Sequence, residues 1–196
     1  MGRLHKPYNF LLITLFVFTS SYFHSVSGDD SDKSTLLEFK AAVSDPSGVL
    51  MSWNLNSSDH CSWIGVTCAS DSRVVAINIT GGGNAGDFTC SKYNQFPLYG
   101  FGIAKNCLDL NAKLVGKLSS AISKLSELQI LSLPFNDFSG EIPSEIWGME
   151  KLEVIDLEGN LIHGSLQSHF IGLKNLLVLE CTISSEITTL PNLKLL

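Results

Sequence analysis

Residues 128–143 read Leu-Gln-Ile-Leu-Ser-Leu-Pro-Phe-Asn-Asp-Phe-Ser-Gly-Glu-Ile-Pro, and residues 152–167 read Leu-Glu-Val-Ile-Asp-Leu-Glu-Gly-Asn-Leu-Ile-His-Gly-Ser-Leu-Gln. At a constant offset of 24 residues, apolar positions fall on apolar positions, asparagine falls on asparagine and glycine on glycine. The matched pairs are Leu128 and Leu152, Leu131 and Ile155, Leu133 and Leu157, Asn136 and Asn160, Gly140 and Gly164, and Ile142 and Leu166. This agreement indicates two copies of one structural unit.

The length of the unit lies within the roughly 20–29 residues of leucine-rich repeats. The Leu-x-x-Leu-x-Leu part predicts a short strand whose leucines enter a shared core. We expect the asparagine just inside the next turn, where its amide can satisfy backbone groups of neighbouring coils, and the glycine where a side chain would be forbidden. Because one coil cannot bury its apolar face alone, the coils stack. The predicted fold is an α/β solenoid, a short right-handed superhelix of parallel strands with a mostly irregular or 3-10 helical convex side.

The repeat pattern continues upstream with an interruption. Leu114 and Gly116 match Phe138 and Gly140, so a repeat ends there. Its best strand candidate is the alternating set Val75, Ile77 and Ile79, which an insert rich in glycine and aromatic residues, at about residues 81–110, separates from Leu114.

Downstream the pattern degenerates. Leu176 and Leu179 stay in phase, but Ser184 and Thr188 occupy the asparagine and glycine positions. We assign residues 71–196 to the repeats, with a degenerate last copy, and expect the chain to be part of something longer. In the chain alone, we expect the apolar side chains of the last coil to leave an exposed edge, because no further coil covers Leu176, Leu179 and Leu190.

The N-terminus predicts a secretory signal peptide over residues 1–28, with Arg3 and Lys6, an apolar stretch at 10–18 and small residues at 25–28. The apolar stretch is about half of the ~20 residues that span a bilayer, and no later stretch is longer, so we expect no membrane span in this chain. Removing residues 1–28 changes the formal net charge from −6 to −8, which argues against nucleic acid or anionic membrane as partners.

Cysteines and sequons fit a secreted chain, in which disulfides are the default. The pairs Cys61–Cys68 and Cys90–Cys107 are the simplest of three connectivities, and Cys181 stands at the register position of Leu133 and Leu157 as a small buried hydrophobe or a reactive thiol. Asn56-Ser-Ser and Asn78-Ile-Thr are candidate glycosylation sites. Asn78 alternates with Ile77 and Ile79, so we expect it to point outward. No metal-ligand spacing occurs, and we expect no metal and no cofactor.

Residues 29–70 predict an N-terminal cap. Leu36, Leu37, Phe39, Lys40 and Val43 lie on one helical face, with Asp32 or Ser34 as the helix cap and Asp45-Pro46 as its end. Trp53 and Trp63 are either cap core or a ligand platform, and the adjacent disulfide favours core.

The chain resembles the start of the ectodomain of plant leucine-rich-repeat receptor-like kinases over about residues 30–179. The resemblance rests on the Leu-Leu-Glu-Phe-Lys helix at 36–40, Ser52-Trp53-Asn54, the motif from Cys61 to Cys68, Arg73-Val-Val-Ala-Ile-Asn-Ile and Ser139-Gly-Glu-Ile-Pro. Phe96-Pro-Leu-Tyr-Gly-Phe-Gly and Ile146-Trp-Gly-Met-Glu are similar to Toadstool-type receptors in particular. The resemblance implies recognition of a peptide or protein ligand, with a leucine-rich-repeat co-receptor as a further partner, outside the cell or at the plasma membrane. Kinase activity does not transfer, because the kinase domain is absent here.

The outward strand positions give a candidate partner-binding face. An apolar column stands beside an acidic one, and the members are Ile130, Val154, Val178, Ser132, Asp156, Glu180, Pro134 and Glu158. The alternative is an ordinary solvated strand face. Aromatic residues of the insert, Phe88, Tyr93, Phe96, Tyr99 and Phe101, are a second candidate surface.

The sequence gives no catalytic motif. Gly81-Gly-Gly-Asn-Ala-Gly86 matches the glycine spacing of a dinucleotide site, but no apolar helical period follows it. The favoured function is therefore extracellular recognition as the N-terminal part of a receptor-like kinase ectodomain. The alternatives are a small secreted repeat protein acting as an enzyme inhibitor or decoy, and a truncated product without function.

Overall fold

The computed structural model describes residues 28–82, 112–164 and 172–181. One helix, α1 (Gly28–Ala42), precedes two sheets. The strands are β1 (Val43–Ser44), β2 (Val66–Cys68), β3 (Val74–Asn78), β4 (Val115–Lys117), β5 (Ile130–Ser132), β6 (Asp137–Gly140), β7 (Val154–Asp156), β8 (Leu161–Ile162) and β9 (Val178–Glu180). Short 3-10 turns lie at His60–Ser62, Ser120–Lys124 and Ile146–Gly148.

The larger sheet has the order β2-β3-β5-β7-β9, and β3, β5, β7 and β9 are parallel. Its register aligns Ile77, Leu131, Ile155 and Leu179 across four strands, and each is at most 3% exposed in the core. The predicted solenoid of parallel strands is confirmed. The strand in the first repeat enters the core with Val74, Ile77 and Ile79, so the predicted Val75 was wrong by one residue.

The smaller sheet, β1-β4-β6-β8, follows the turn of each repeat. β4, β6 and β8 are parallel, whereas β1 is antiparallel to β4 and brings the end of α1 against the first repeat. The 3-10 turns at Ser120–Lys124 and Ile146–Gly148 then return the chain towards the next strand of the larger sheet. Ile122 and Ile146, both 0% exposed, anchor these turns in the core.

The repeat asparagines connect successive coils. The Asn136 side-chain amide donates to the carbonyls of Ile79, Leu133 and Pro134 at 2.8–3.2 Å, and its Oδ1 accepts from Leu114 N at 2.8 Å. Asn160 repeats the arrangement one coil later: it donates to carbonyls of Leu133, Leu157 and Glu158 and accepts from Phe138 N. The predicted role of these asparagines is confirmed.

A tight approach also explains the first glycine of the dinucleotide-like motif. A Cβ on Gly81 would lie 2.1 Å from the Phe135 carbonyl oxygen, and Gly81 N donates to the Pro134 carbonyl at 2.8 Å. Gly81 is therefore needed where this coil contacts its neighbour. Gly83 to Gly86 lie outside the described residues.

The cap closes the open end of the first coil. Phe39 on α1 contacts Trp53 and Phe138, with ring centroids at 6.0 and 6.3 Å. Lys40 donates to the carbonyls of Leu50 and Trp53, both at 2.7 Å. The helical face predicted for α1 is confirmed, with Leu36 and Phe39 fully buried and Leu37 and Val43 packed at its margin.

Asp32 and Ser34, the two predicted caps, do not cap the helix, because α1 begins earlier, at Gly28. Asp32 has another role. Its fully buried carboxylate instead accepts from Arg73 Nε at 2.9 Å, from Arg73 Nη2 at 3.2 Å and from Val74 N at 2.9 Å. Hydrogen bonding to Asp32 raises the pKa of Arg73 above its usual value. The ion pair joins the cap helix to the first repeat strand.

At the far end, the predicted exposed apolar edge is wrong for the two leucines that the structure describes. Leu176 and Leu179 are only 2% and 3% exposed, because β9 pairs with β7 and turns both side chains into the common core. Leu190 lies outside the described residues, as do residues 1–27 of the predicted signal peptide.

We predict that Asn136→Ala lowers the free energy of unfolding by about 3 kcal/mol, since it leaves buried backbone groups without partners. Asn175→Ala is the control, because the exposed Asn175 makes one hydrogen bond to the Glu150 carbonyl. It should cost less than about 1 kcal/mol. Urea unfolding followed by circular dichroism measures both. Equal losses in the two variants would contradict the role assigned to Asn136.

We predict that Asp32→Asn also costs about 3 kcal/mol, because it leaves the Arg73 charge partly buried and uncompensated. Glu127→Gln, which breaks the more exposed pair with Lys151, should cost less than about 1 kcal/mol. If the double variant Asp32→Asn/Arg73→Met were as unstable as the sum of its single variants, the two side chains would not be coupled.

Candidate binding face and cap

Each strand of the larger sheet also presents side chains on the face opposite the main core, which we call the outer strand face. Ala76, Ile130, Val154 and Val178 form one column and pack together as a second apolar cluster. Asn78, Ser132, Asp156 and Glu180 form the next column, since the register places each beside the other. The parallel strands therefore bring the predicted partner-face residues together.

The outer strand face is not the solvated surface that was the alternative prediction. Six of its eight predicted members are buried, namely Ile130, Ser132, Pro134, Val154, Asp156 and Val178. Side chains in one column stand about 5 Å apart on neighbouring strands, close enough for apolar and hydroxyl groups to pack on each other. Glu158 and Glu180 alone among the eight are partly exposed.

Three carboxylates meet at the partly exposed end of this face. Asp156, Glu158 and Glu180 bring one oxygen each within 4.8 Å of one another. Asp156 is 0% exposed, and its oxygens accept from Ser132 Oγ at 3.2 Å and from Glu158 N at 3.3 Å. The register of β7 with β9 thus concentrates acidic side chains at the partly exposed end of this face.

Ion pairs with the repeat spacing lie outside this face. Lys113 with Asp137, Lys151 with Glu127 and Lys174 with Glu150 each join residues 24 positions apart. Lys174, at 2.6 Å, lowers the pKa of the exposed Glu150 carboxyl by hydrogen bonding. A shallow cleft of about 420 Å³ lies beside the Glu127–Lys151 pair, and Leu125 and Met149 also line it.

The cap is core rather than a ligand platform. Trp53 and Trp63 are 0% and 3% exposed and stack with centroids 5.8 Å apart. Trp53 Nε1 donates to the Ile64 carbonyl at 2.8 Å. The predicted disulfide Cys61–Cys68 is present and fastens the turn that leads into β2. The buried His60 lies next to it, but His60, Cys61 and Cys68 are no metal site because both thiols are consumed in the bridge.

The other predicted cysteine and aromatic sites have different outcomes. Cys181 is half-buried and packs against the main core, so its predicted place in the core is only partly reached. Cys90, Cys107 and the aromatic residues of the insert lie outside the described residues. In the described part of the chain, no helix has the length and apolar character needed to cross a membrane.

The two sequons differ in their surroundings. Asn56 is exposed in a polar turn. Asn78, which the alternation predicted to be outward and available, is 1% exposed. It does point away from the main core, but its side chain is buried on that face, so the prediction of availability was wrong.

The sequence comparisons match these structural features. The family described as "Leucine rich repeat N-terminal domain" matches residues 29–69, and the family "Leucine Rich Repeat" matches residues 127–149. The probable receptor-like serine/threonine-protein kinase RPK1 of Arabidopsis thaliana is 41% identical over 137 residues. That match covers 68% of this chain and 24% of RPK1. The chain contains a leucine-rich-repeat N-terminal domain and a leucine-rich repeat, and its relatives are plant leucine-rich-repeat receptor-like kinases.

Other relatives agree with this assignment. Protein MALE DISCOVERER 1 of Arabidopsis thaliana is 36% identical over 74% of this chain and 16% of its own length. The BIR2 ectodomain from Arabidopsis thaliana superposes with a TM-score of 0.57 over 84% of this chain and 68% of BIR2, at 22% identity, which shows the shared fold. The PEPR1–AtPEP1 complex gives 0.57 over 79% of this chain and 18% of its chain, at 26% identity.

The chain spans about a quarter or less of the length of these curated relatives. The matched part is ectodomain, and the kinase relatives are matched only there. Ectodomains of this kind are extracellular and typically carry no catalytic activity.

We predict two disulfides, Cys61–Cys68 and Cys90–Cys107, with Cys181 in neither. Peptide mapping under non-reducing conditions, with alkylation of thiols, checks all five cysteines. Loss of a native bridge from a small secreted domain typically costs about 2–5 kcal/mol. A peptide linking Cys181 to any of the other four would contradict the assignment.

Proposed function

We propose that this chain is an extracellular recognition module, the N-terminal part of a Toadstool-type receptor-like kinase ectodomain, that binds a peptide or protein partner without catalysis of its own. The observation that carries the proposal is the sealed cap followed by parallel strands in one register, because stacked strands are a rigid platform for a partner. The similarity to RPK1 and to the PEPR1–AtPEP1 structure supports it. Entry into the secretory pathway through residues 1–28 is part of the proposal.

The chemistry of the outer strand face favours a partner with a basic group. Its apolar column is buried, so direct recognition falls to the partly exposed Glu158 and Glu180. Asp156 is fixed beneath them by Ser132 and adds negative charge without being exposed. A lysine or arginine of the partner, placed beside the two glutamates, can form charge-assisted hydrogen bonds with their carboxylates.

The test uses the full chain secreted from plant cells and an immobilised array of short synthetic peptides. Peptides are matched in pairs that differ only in lysine and arginine against glutamine. We predict that the chain binds the basic member of some pairs about tenfold more tightly, equivalent to ~1.4 kcal/mol. Glu158→Gln/Glu180→Gln should abolish the preference, and added salt should weaken it.

Glu127→Gln/Glu150→Gln is the matched control, because it removes two carboxylates that pair with lysines away from the outer strand face. It should keep the preference for basic peptides. Equal loss in both double variants would mean that net charge alone drives binding. Absence of any preference in the unaltered chain would contradict the basic-partner proposal.

A further inference from the structure

We infer that Asn56 is the glycan-bearing asparagine of this chain and that the folded protein carries no glycan at Asn78. The two sequons are equivalent as sequence patterns, and the structure separates them. The inference rests on the proposed entry into the secretory pathway, where the transferase acts. The donor class is a polyprenyl-diphosphate oligosaccharide.

The transfer makes a bond at the asparagine side-chain nitrogen. The amide nitrogen attacks C1 of the first sugar, the bond from C1 to the diphosphate oxygen breaks, and polyprenyl diphosphate leaves with the electron pair. The amide loses one proton to a base of the transferase. The chain must therefore present the asparagine and the hydroxyl two residues later, and the product must have room for a large polar group.

The turn around Asn56 meets both requirements. Asn54 Oδ1 accepts from the backbone N–H groups of Asn56 and Ser57, both at 3.0 Å, so the turn is built by a neighbouring side chain. Lys33 donates to the carbonyls of Leu55 and Ser57 at 3.1 and 2.5 Å, on either side of residue 56. These hydrogen bonds fix the backbone of the turn, while Asn56 and Ser58 are exposed.

Asn78 lies in the opposite environment. Its backbone N–H donates to the Gly65 carbonyl at 2.7 Å on one side, and the next residue, Ile79, donates to the Ser132 carbonyl at 2.9 Å on the other. Its side chain is 1% exposed, beside the fully buried Ser132 in the same column. Because the Asn78 side chain projects from the sheet and is only 1% exposed, a glycan there would displace the groups that cover it, so a chain glycosylated at Asn78 would not reach this fold.

A glycan on Asn56 would lie next to an exposed apolar residue. Leu55 is 79% exposed, and Met51 in the same segment is 75% exposed. Exposed apolar side chains favour association between molecules, and a bulky hydrated sugar beside them opposes it. The inferred glycan therefore shields this edge of the cap.

The experiment expresses the full chain in plant cells and measures glycan occupancy by intact mass before and after enzymatic deglycosylation. Each sequon is removed through its hydroxyl residue, which leaves both asparagines in place. Ser58→Ala changes an exposed residue. Thr80→Val keeps the shape of a buried side chain whose hydroxyl finds no hydrogen-bond partner among the described residues, so this variant should fold.

We expect one glycan on the unaltered secreted chain, none on Ser58→Ala, one on the conservative Ser58→Thr and one on Thr80→Val. Ser58→Ala should also self-associate more in size-exclusion chromatography. Lys117→Asn creates a sequon with Ser119 at an exposed position of β4 and should add a second glycan. Gel-shift analysis after partial deglycosylation confirms the count.

Two outcomes would overturn the inference without affecting the proposed function. One is a glycan on Asn78 in secreted, protease-resistant protein, and the other is glycosylation of Lys117→Asn at its new site without occupancy of Asn56. If even Lys117→Asn carried no glycan and residues 1–28 were retained, the proposed secretory entry would fail, and the inference would fall with it.

Discussion

The solenoid depends on the need to satisfy backbone groups where each coil turns inside the protein. Between the two sheets the chain bends away from strand hydrogen bonding, and an unpaired buried carbonyl or N–H would cost about 1–3 kcal/mol. Asn136 and Asn160 each satisfy four such groups, drawn both from their own coil and from the coil before. The hydrogen bonds that permit the turn are therefore the same ones that hold neighbouring coils in register. Few other side chains offer two donors and an acceptor at this length.

No coil precedes the first one, and the cap covers its end with a helix, an antiparallel strand and an ion pair. Antiparallel β2 covers the edge of β3, α1 covers the apolar end of the core, and the Asp32–Arg73 pair connects them. Because Asp32 also accepts from Val74 N, the carboxylate occupies the place that a backbone carbonyl of a previous strand would take. The cap thus imitates a missing repeat at its polar groups as well as at its apolar surface.

Periodic features could be predicted from the sequence, because the same type of residue occurs at the equivalent position of each repeat. The register of Leu131 with Ile155 and the role of Asn136 both followed from the 24-residue offset. Features that occur only once were harder to predict. Val75 fits the alternation with Ile77 and Ile79, whereas the buried residue is Val74, which pairs with Cys68 at an irregularity in the register of β2 with β3. Asp32 resembled a helix cap until its partner Arg73, 41 residues away, was known.

The candidate face shows a second limit of sequence reasoning. Alternation correctly put Ile130 and Asn78 opposite the main core, but a two-residue period separates two faces and says nothing about how much solvent each face meets. The groups packed over each face decide that, and they come from distant parts of the chain. The acidic group at Asp156, Glu158 and Glu180 was predicted as outward positions, whereas its mutual approach within 4.8 Å required the register of β7 with β9.

The ion pairs between residues 24 positions apart have a consequence for how such a chain can change over generations. Each exposed pair contributes little to stability, because solvent screens the charges. Each pair, however, joins residues that are one repeat length apart. Glu127 contacts Lys151, and Glu150 contacts Lys174, only if the intervening segment has its present number of residues. Duplication or loss of a whole unit would leave every surviving pair matched, whereas insertion of a single residue would separate the pair that spans it. The surface ion pairs are therefore compatible with the gain or loss of complete repeats and are broken by insertions or deletions shorter than one repeat.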